Sequence, residues 1–408
     1  MRGLVGIGLL LALAWALSEN RRAVPWRTVI GGVALQWALA LLLIDFLPAR
    51  AVLFWLDDAA TALQIATDSG TGFVFGYLGG ANLPFAEVAP GASFILAFKA
   101  LPLVLVISAL ASLLYYLRVL QAVMRGFAWL LRRVMWIDGP LALGAAVHIF
   151  VGMIEAPLLV RPYLGRMQRG ELFALMTCGM AGVAGTVMVI YAALLSRAIP
   201  DALGNILVAS VISTPAALAV AALMVPFGPG AGEAGALVMH DPPVSVMDAI
   251  TKGVMDGVMP LVSIVAMLLV LISLVTLVNM GLAHLPFGLT LQAVFAWPFR
   301  LVMWLIGISW QESAAAGALM ATKTVLNEFV AYLDFSRLPL ESFAPRSRLI
   351  LTYALCGFAN FGSLGILIGG LGAMVPERRE EVVRLGLRSI LSGTIATCLS
   401  GAVAGIIG

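Results

Sequence analysis

The chain has 408 residues, 62% of them hydrophobic and 11% charged, with a mean hydropathy of +1.04 and a net charge of +3. Ordinary soluble domains carry about 25% charged residues, and a water-soluble fold of this length could not cover itself with so few; the composition is that of an all-α polytopic membrane protein. The small net charge gives no footing for nucleic-acid binding, and Cys178, Cys356 and Cys398 have neither metal-site spacing nor a disulfide pattern.

Residues 2–18 combine Arg2, an apolar run and Ala16-Leu17-Ser18, the outline of a signal peptide, but are read as a first spanning helix. Further spans are expected at 28–47, 92–117, 171–196, 203–226, 256–282, 347–373 and 384–407, each with about the 20 apolar residues a hydrocarbon core needs. Residues 50–90 read as one interfacial amphipathic helix followed by a glycine-rich link at Gly70, Gly72, Gly76, Gly79 and Gly80. In the loop at 226–245, Gly230-Ala-Gly232-Glu-Ala-Gly235 matches the dinucleotide fingerprint formally. It lacks the strand–turn–helix context that gives the motif meaning.

Two apolar stretches, 139–164 and 305–335, do not read as simple spans. The first carries Glu155 between Gly152 and Pro157, and the second carries Lys323, Asn327 and Glu328. Ala156 precedes a proline and is expected to resist helical geometry, and Asn327 suits a left-handed turn. Both stretches are expected to be re-entrant helical hairpins with tips near the membrane midplane, where irregular backbone is tolerated only when protein or water surrounds it. An ionisable group at that depth costs roughly 2.5–3.5 kcal/mol on insertion scales, so the glutamates call for a function.

Orientation follows from arginine. Arg21, Arg22 and Arg27 lie after the first span, and Arg378, Arg379 and Arg384 before the last. An even number of crossings between them puts both groups on the cytoplasmic side, leaving both termini periplasmic and the two hairpins entering from opposite faces. Arg346 and Arg348 fall on the other side in this scheme.

The chain also repeats itself. Phe127-Ala-Trp-Leu-Leu-Arg-Arg-Val-Met-Trp136 recurs 168 residues later as Phe295-Ala-Trp-Pro-Phe-Arg-Leu-Val-Met-Trp304, with seven of ten positions identical. Each copy precedes a hairpin with a glutamate at its tip. Each hairpin precedes a span interrupted at its centre, by Cys178-Gly-Met-Ala-Gly-Val-Ala-Gly185 and by Cys356-Gly-Phe-Ala-Asn-Phe-Gly-Ser363. Small residues alone would serve close helix packing, but they do not account for a glutamate at both tips. Inverted repeats with interrupted helices are the architecture of secondary transporters, with the substrate at the repeat interface. Glu155, Glu328, Asn327, Asn360 and Ser363 offer two carboxylates, two amides and a hydroxyl, a set suited to a ligand with several hydroxyls: a ribose, another sugar or a polyol. His148 titrates near neutrality when unperturbed, which fits a proton role, and helix packing would account for it as well. His240 and His284 carry no assignment, and Lys323 is expected to pair with a hairpin carbonyl or carboxylate. No metalloprotease motif or nucleophile triad supports an intramembrane enzyme, and a channel could not accumulate its solute.

At these residues the chain resembles the concentrative nucleoside transporter family. Ala321 to Tyr332 match the family signature of a small residue, a lysine two on, and Asn-Glu-Phe-Val-Ala-aromatic. Glu155 to Leu158, Arg161-Pro162-Tyr163 and Cys356 to Asn360 match further motifs, over roughly residues 90–408. The resemblance implies a homotrimeric cation-coupled symporter of a bacterial inner membrane that imports nucleosides by an elevator movement, without a bound cofactor beyond the co-transported proton or sodium ion. It implies a scaffold from 1–126 and 227–290 and a mobile unit from 127–226 and 291–408. Glu155, Glu328, Asn360 and Ser363 would hold the ribose, Phe358 would pack nearby, and Val187 would contact the base. Met153 and Ile154 replace the usual base-binding amide and hydroxyl, which leaves purine or pyrimidine preference open. The coupling-ion position would involve His148, Val151, Gly182 and Val183. Sodium-coupled members carry an asparagine in place of His148 and a serine in place of Gly182, and oxygen ligands suit a hard cation better than imidazole. The expectation is therefore proton coupling; sodium coupling with altered base specificity, or transport of another ribose-bearing metabolite, is the alternative.

Overall fold

The fold is that of a computed structural model, which describes residues 2–45, 47–87, 93–195, 199, 201–228, 243–284 and 289–408. The Gly230–Gly235 motif and His240 lie outside the described residues. Regular structure among the described residues is entirely helical. Among the described residues, five helical stretches are long and apolar enough to cross a membrane: Trp26–Asp45, Leu96–Tyr116, Ala202–Met224, Val246–Leu282 and Pro376–Ile407. The segments expected as spans at 171–196 and 347–373 are each divided into two shorter helices.

The N-terminal helices are α1 (Arg2–Ala16), α2 (Trp26–Ala40) and α3 (Leu47–Phe75). The last of these corrects the reading of 50–90. Gly70 and Gly72 lie within the helix, and the turn comes only at Gly76 (φ 59°) and Gly80 (φ 108°), where a side chain would be strained. The Thr71 hydroxyl fastens that turn by donating to the Gly79 carbonyl at 2.8 Å. The segment expected as one span at 92–117 is α4 (Leu96–Lys99) and α5 (Leu103–Tyr116), parted at Pro102, which cannot donate a helical hydrogen bond.

The two sequence copies are both helices, α6 (Val119–Met135) and, later, α14 (Leu291–Leu305). Each is followed by a similar series of helices, with one more short helix in the first. After α6 come α7 (Gly139–Val147), α8 (Glu155–Leu159), α9 (Arg161–Leu164), the two halves α10 (Arg169–Ala181) and α11 (Gly185–Leu195), and α12 (Ala202–Met224). The outlying α13 (Val246–Leu282) intervenes. After α14 come α15 (Trp310–Val325), α16 (Glu328–Arg337), the halves α17 (Pro345–Leu355) and α18 (Phe361–Met374), and α19 (Arg379–Ile407).

The centre of the molecule is α12 against α19, whose apolar windows are 89% and 83% buried. Small residues let these backbones approach, and buried hydroxyls join them. Ser213 and Ser400 share a hydrogen bond of 2.8 Å, and Thr177 of α10 and Ser392 another of 2.8 Å. The early helices pack in two places. Gln36 of α2 donates to Ser400 at 3.1 Å, Gly32 meets Pro215 and Ala219 of α12, and Gly3 of α1 meets Ile406 of α19. Helix α5, by contrast, lies on α13, with Gly253 and Gly257 closing on Ser108. So α1 and α2 sit with the central bundle, and α5 with α13. Only 6% of the apolar window of α13 is buried within the chain.

The two ends of the bundle are distinct. At one, Arg169 at the start of α10 pairs with Glu19 and Glu381, Arg388 pairs with Glu19, and Arg378 donates to the carbonyls of Leu164 and Met167. The loops after α1 and before α19 therefore share an end, as the arginine count requires. At the opposite end Arg346 lies beside Gly405 of α19 and Gly307.

Candidate functional site

Hydrogen bonds and close contacts fix the direction of the helices around the two tips. Gly144 of α7 meets Leu175 of α10, and His148 meets Gly179 one turn on, so α7 and α10 run parallel. In the second repeat Glu312 accepts from Ser347 at 2.7 Å, and Lys323 donates to the carbonyl of Ala354 at 2.8 Å, so α15 and α17 are parallel too. Tyr332 donates to the carbonyl of Thr352 at 2.7 Å while Glu328 bonds Asn360, so α16 runs back against α17 and hence against α15. Because α10 starts at the Glu19 end and α17 at the Arg346 end, the two sets are oppositely directed.

Their tips and breaks meet. The amide of Gly185 donates to the carbonyl of Phe150 at 3.2 Å, joining the first tip to the first break. The amide of Phe358 donates to the carbonyl of Gly182 at 3.2 Å, joining the two breaks. The Asn360 Nδ2 donates to Glu328 Oε2 at 2.8 Å, joining the second break to the second tip. The C-terminal ends of α7, α10, α15 and α17 thus gather with the N-terminal ends of α8, α11, α16 and α18. Both glutamates are the first residues of helices, α8 and α16.

The second tip is closed by side chains. Asn327 is extended (φ −167°), not left-handed as the sequence reading had it, and its side chain caps α16 by accepting from Val330 N–H at 2.9 Å. Asn360 caps α18 in the same way, accepting from Ser363 N–H at 2.7 Å. Glu328 is buried and held on both oxygens, by Asn360 and by the hydroxyl of Tyr191, which donates at 2.6 Å. Lys323 is fully buried. Its ammonium bonds the Ala354 carbonyl and the Thr397 hydroxyl, at 2.8 and 3.1 Å. The Ala354 carbonyl is an orphan of the helix end, because the amide four residues on, that of Phe358, is spent on Gly182.

The first tip is open. Glu155 is exposed, and its carboxylate folds over Gly152. Ala156 and Pro157 are helical here, contrary to the expectation that Ala156 would resist. Pro157 falls in the first turn of α8, where its missing N–H costs nothing. Met153 is buried against Gly179, and Ile154 packs on Gly370 of α18. His148 is buried, and among the described residues its Nε2 has no partner. Val151 is half-buried and Val183 fully buried, and Val187 and Phe358 are half-buried. Gly182 is extended (φ −114°, ψ 174°), a conformation open to any residue. A Cβ there would lie 3.6 and 3.8 Å from the carbonyl oxygens of Cys178 and His148.

So Glu328, Asn360 and Ser363 are brought into one bonded group, and Gly182 and Phe358 are tied to it through the backbone. Among the described residues the two glutamates make no bond to each other. Two buried side chains escaped the sequence reading: Tyr191, which holds Glu328, and Thr397, which holds Lys323. Tyr191 could have been found, since it lies one helical turn beyond Val187 and so on the same face.

Comparison with known proteins is consistent along the whole chain. Profiles of the Na+ dependent nucleoside transporter N-terminus and C-terminus match residues 5–78 and 205–405, and a nucleoside recognition (gate) profile matches 97–198. An uncharacterized transporter of Haemophilus influenzae is 36% identical, covering 100% of this chain and 97% of that protein. Nucleoside permease NupC of Helicobacter pylori is 32% identical, covering 98% and 96%. Rat sodium/nucleoside cotransporter 1 is 33% identical over 98% of this chain, which spans 63% of that longer protein. Among solved structures, CNTnw in an inward-facing substrate-bound state superposes with a TM-score of 0.89 at 34% identity, covering 100% and 98% of the two chains. An outward-facing variant of CNTnw gives 0.88 at 33% identity, covering 100% and 97%.

Proposed function

Since the chain belongs to the concentrative nucleoside transporter family, we propose that it is a nucleoside symporter of a bacterial inner membrane, driven by protons. One observation carries the reading: the three hydrogen bonds that link tip, break, break and tip into a single polar centre. Glu328, Asn360 and Ser363, with Glu155 closing from the other tip, take the ribose hydroxyls. Met153, Ile154, Val187 and Phe358 give the base an apolar berth with no directional contacts, which favours broad base tolerance. The pairs α7/α8 and α15/α16 are re-entrant hairpins from opposite faces, and both termini are periplasmic. In a trimer, the unit of residues 127–226 and 291–408 moves as an elevator against a scaffold of 1–126 and 227–290.

Proton coupling rests on His148. Its imidazole is buried with a free nitrogen, at a place where a sodium ion would need oxygen, and Gly182 supplies no side-chain oxygen. Sodium coupling is the second reading, favoured by the carbonyls of Cys178 and His148, hard donors that lie near the Gly182 position. Uptake of labelled uridine and adenosine into proteoliposomes, under separately imposed proton and sodium gradients, decides between them. Uptake should follow an inward proton gradient and ignore sodium. Stimulation by sodium at fixed pH, with none from protons, rejects the first reading. Glu328→Gln should abolish ribonucleoside uptake in a folded protein, and undiminished uptake would remove Glu328 from the site.

A further inference from the structure

Glu328 belongs to the second repeat, yet one of its two side-chain hydrogen bonds comes from the first. Tyr191 lies on α11, the half-helix that follows the first break, and is 1% exposed. Its ring is held by two aromatic residues of the helix that Glu328 begins, Tyr332 at 5.0 Å between centroids and Phe329 at 6.1 Å. Its hydroxyl therefore has little freedom to leave Glu328 Oε1. Asn360 fixes the other oxygen, and Asn360 is itself fixed by the Ser363 amide. Two donors on two oxygens set the plane of the carboxylate. These side-chain donors use about two of its four acceptor sites, and acceptor capacity remains for a ligand.

We infer that Tyr191 is a positioning residue for the sugar-binding carboxylate. It holds Glu328 in one orientation so that ligand hydroxyls meet its remaining acceptor sites without prior rearrangement, and it makes selection for hydroxylated sugars a joint property of the two repeats. The inference rests on the nucleoside reading above. A tyrosine that merely satisfied a buried acid would influence stability without discriminating between ligands.

The test is equilibrium binding of uridine and 2′,3′-dideoxyuridine to the purified full-length chain, its Tyr191→Phe variant, Glu328→Gln, and the double variant. Phenylalanine keeps the ring contacts and removes only the hydroxyl. Uridine binding should weaken about tenfold in Tyr191→Phe, the size expected for one hydrogen bond to a charged group, while dideoxyuridine binding stays as in the parent. In the Glu328→Gln background, Tyr191→Phe should change nothing further. Equal losses for both ligands, no loss for either, or an additive loss in the double variant would overturn the inference and leave the nucleoside reading standing. A parent chain that binds no uridine would end that reading, and this inference with it.

Discussion

The two repeats share their parts in order, yet they are finished differently around their glutamates. In the second, two residues separate α15 from α16, an asparagine caps the returning helix, and Glu328 is buried between two donors. In the first, seven residues separate α7 from α8, Ile154 offers no cap, and Glu155 is exposed. The basic groups differ as well. Lys323, five residues before its glutamate, is bonded to two acceptors, and His148, seven before its own, has an unpartnered nitrogen. One side of the site is preorganised and the other is left adjustable. In a carrier, the adjustable side is where binding of ligand and coupling ion can alter the balance between states, because only groups whose contacts differ between states shift an equilibrium.

The largest expected effect breaks the rigid side. Lys323→Met keeps an unbranched stem one atom shorter but leaves the Ala354 carbonyl at the end of α17 and the Thr397 hydroxyl without their partner. The loss should be about 2–4 kcal/mol, somewhat offset because a buried charge is also removed. Thermal unfolding in detergent measures it, and a loss below about 1 kcal/mol would mean the ammonium is not what holds that half. Next comes the adjustable side. His148→Asn should cut proton-driven uptake roughly tenfold, within the usual range of one coupling free energy. Adding Gly182→Ser should then bring in sodium stimulation, since the backbone there admits a side chain and two carbonyls already lie close. A double variant still driven by protons would show that His148 is only a packing residue. Smaller again, Asn327→Ala removes the cap of α16 and should cost about 1 kcal/mol. Unchanged stability would mean that the cap contributes nothing to the asymmetry between the tips.

Much of this was legible in the sequence, because membrane depth makes polar residues conspicuous. The glutamates, the proline and glycine breaks and the repeated Phe127 and Phe295 segments each announce themselves against an apolar background. The family resemblance agreed with them, and profiles along the whole chain bear the family out. What escaped was long-range. Tyr191 looks like one more aromatic in an apolar helix, and its partner is 137 residues away. The grouping of α1 and α2 with α12 and α19 depends on Gly32 and Gln36, which read locally as ordinary helix residues. Asn327 was ambiguous for a physical reason: the amide that tolerates a left-handed turn is also a good helix cap, and only the backbone angle tells which is used.

The weakest expected effect concerns the starts of α10 and α15, which repeat the contrast in another form. Near the first, charge meets charge: Arg169 donates two hydrogen bonds to Glu19, at 3.1 and 3.0 Å, and Arg388 a third. At the second, Glu312 accepts from neutral groups, Ser309, Ser347 and the amide of Ala344. The hydrogen bond from Arg169, opposed by partial burial and aided by the charges of Arg169 and Arg388, holds the Glu19 carboxyl below its ordinary value of 4.5. A carboxyl lowered by folding adds stability that is complete above the unfolded value and is lost as pH falls through the folded one. Unfolding followed from pH 6 downward should therefore lose a small increment below about 4.5 in the parent but not in Glu19→Gln. With the two side chains 31% and 42% exposed, that increment is below about 1 kcal/mol and should shrink in high salt. Glu312→Gln should cost its increment at any ionic strength, since none of these partners is charged. If salt weakened both ends alike, the division into an ionic start and a neutral one would have no energetic meaning.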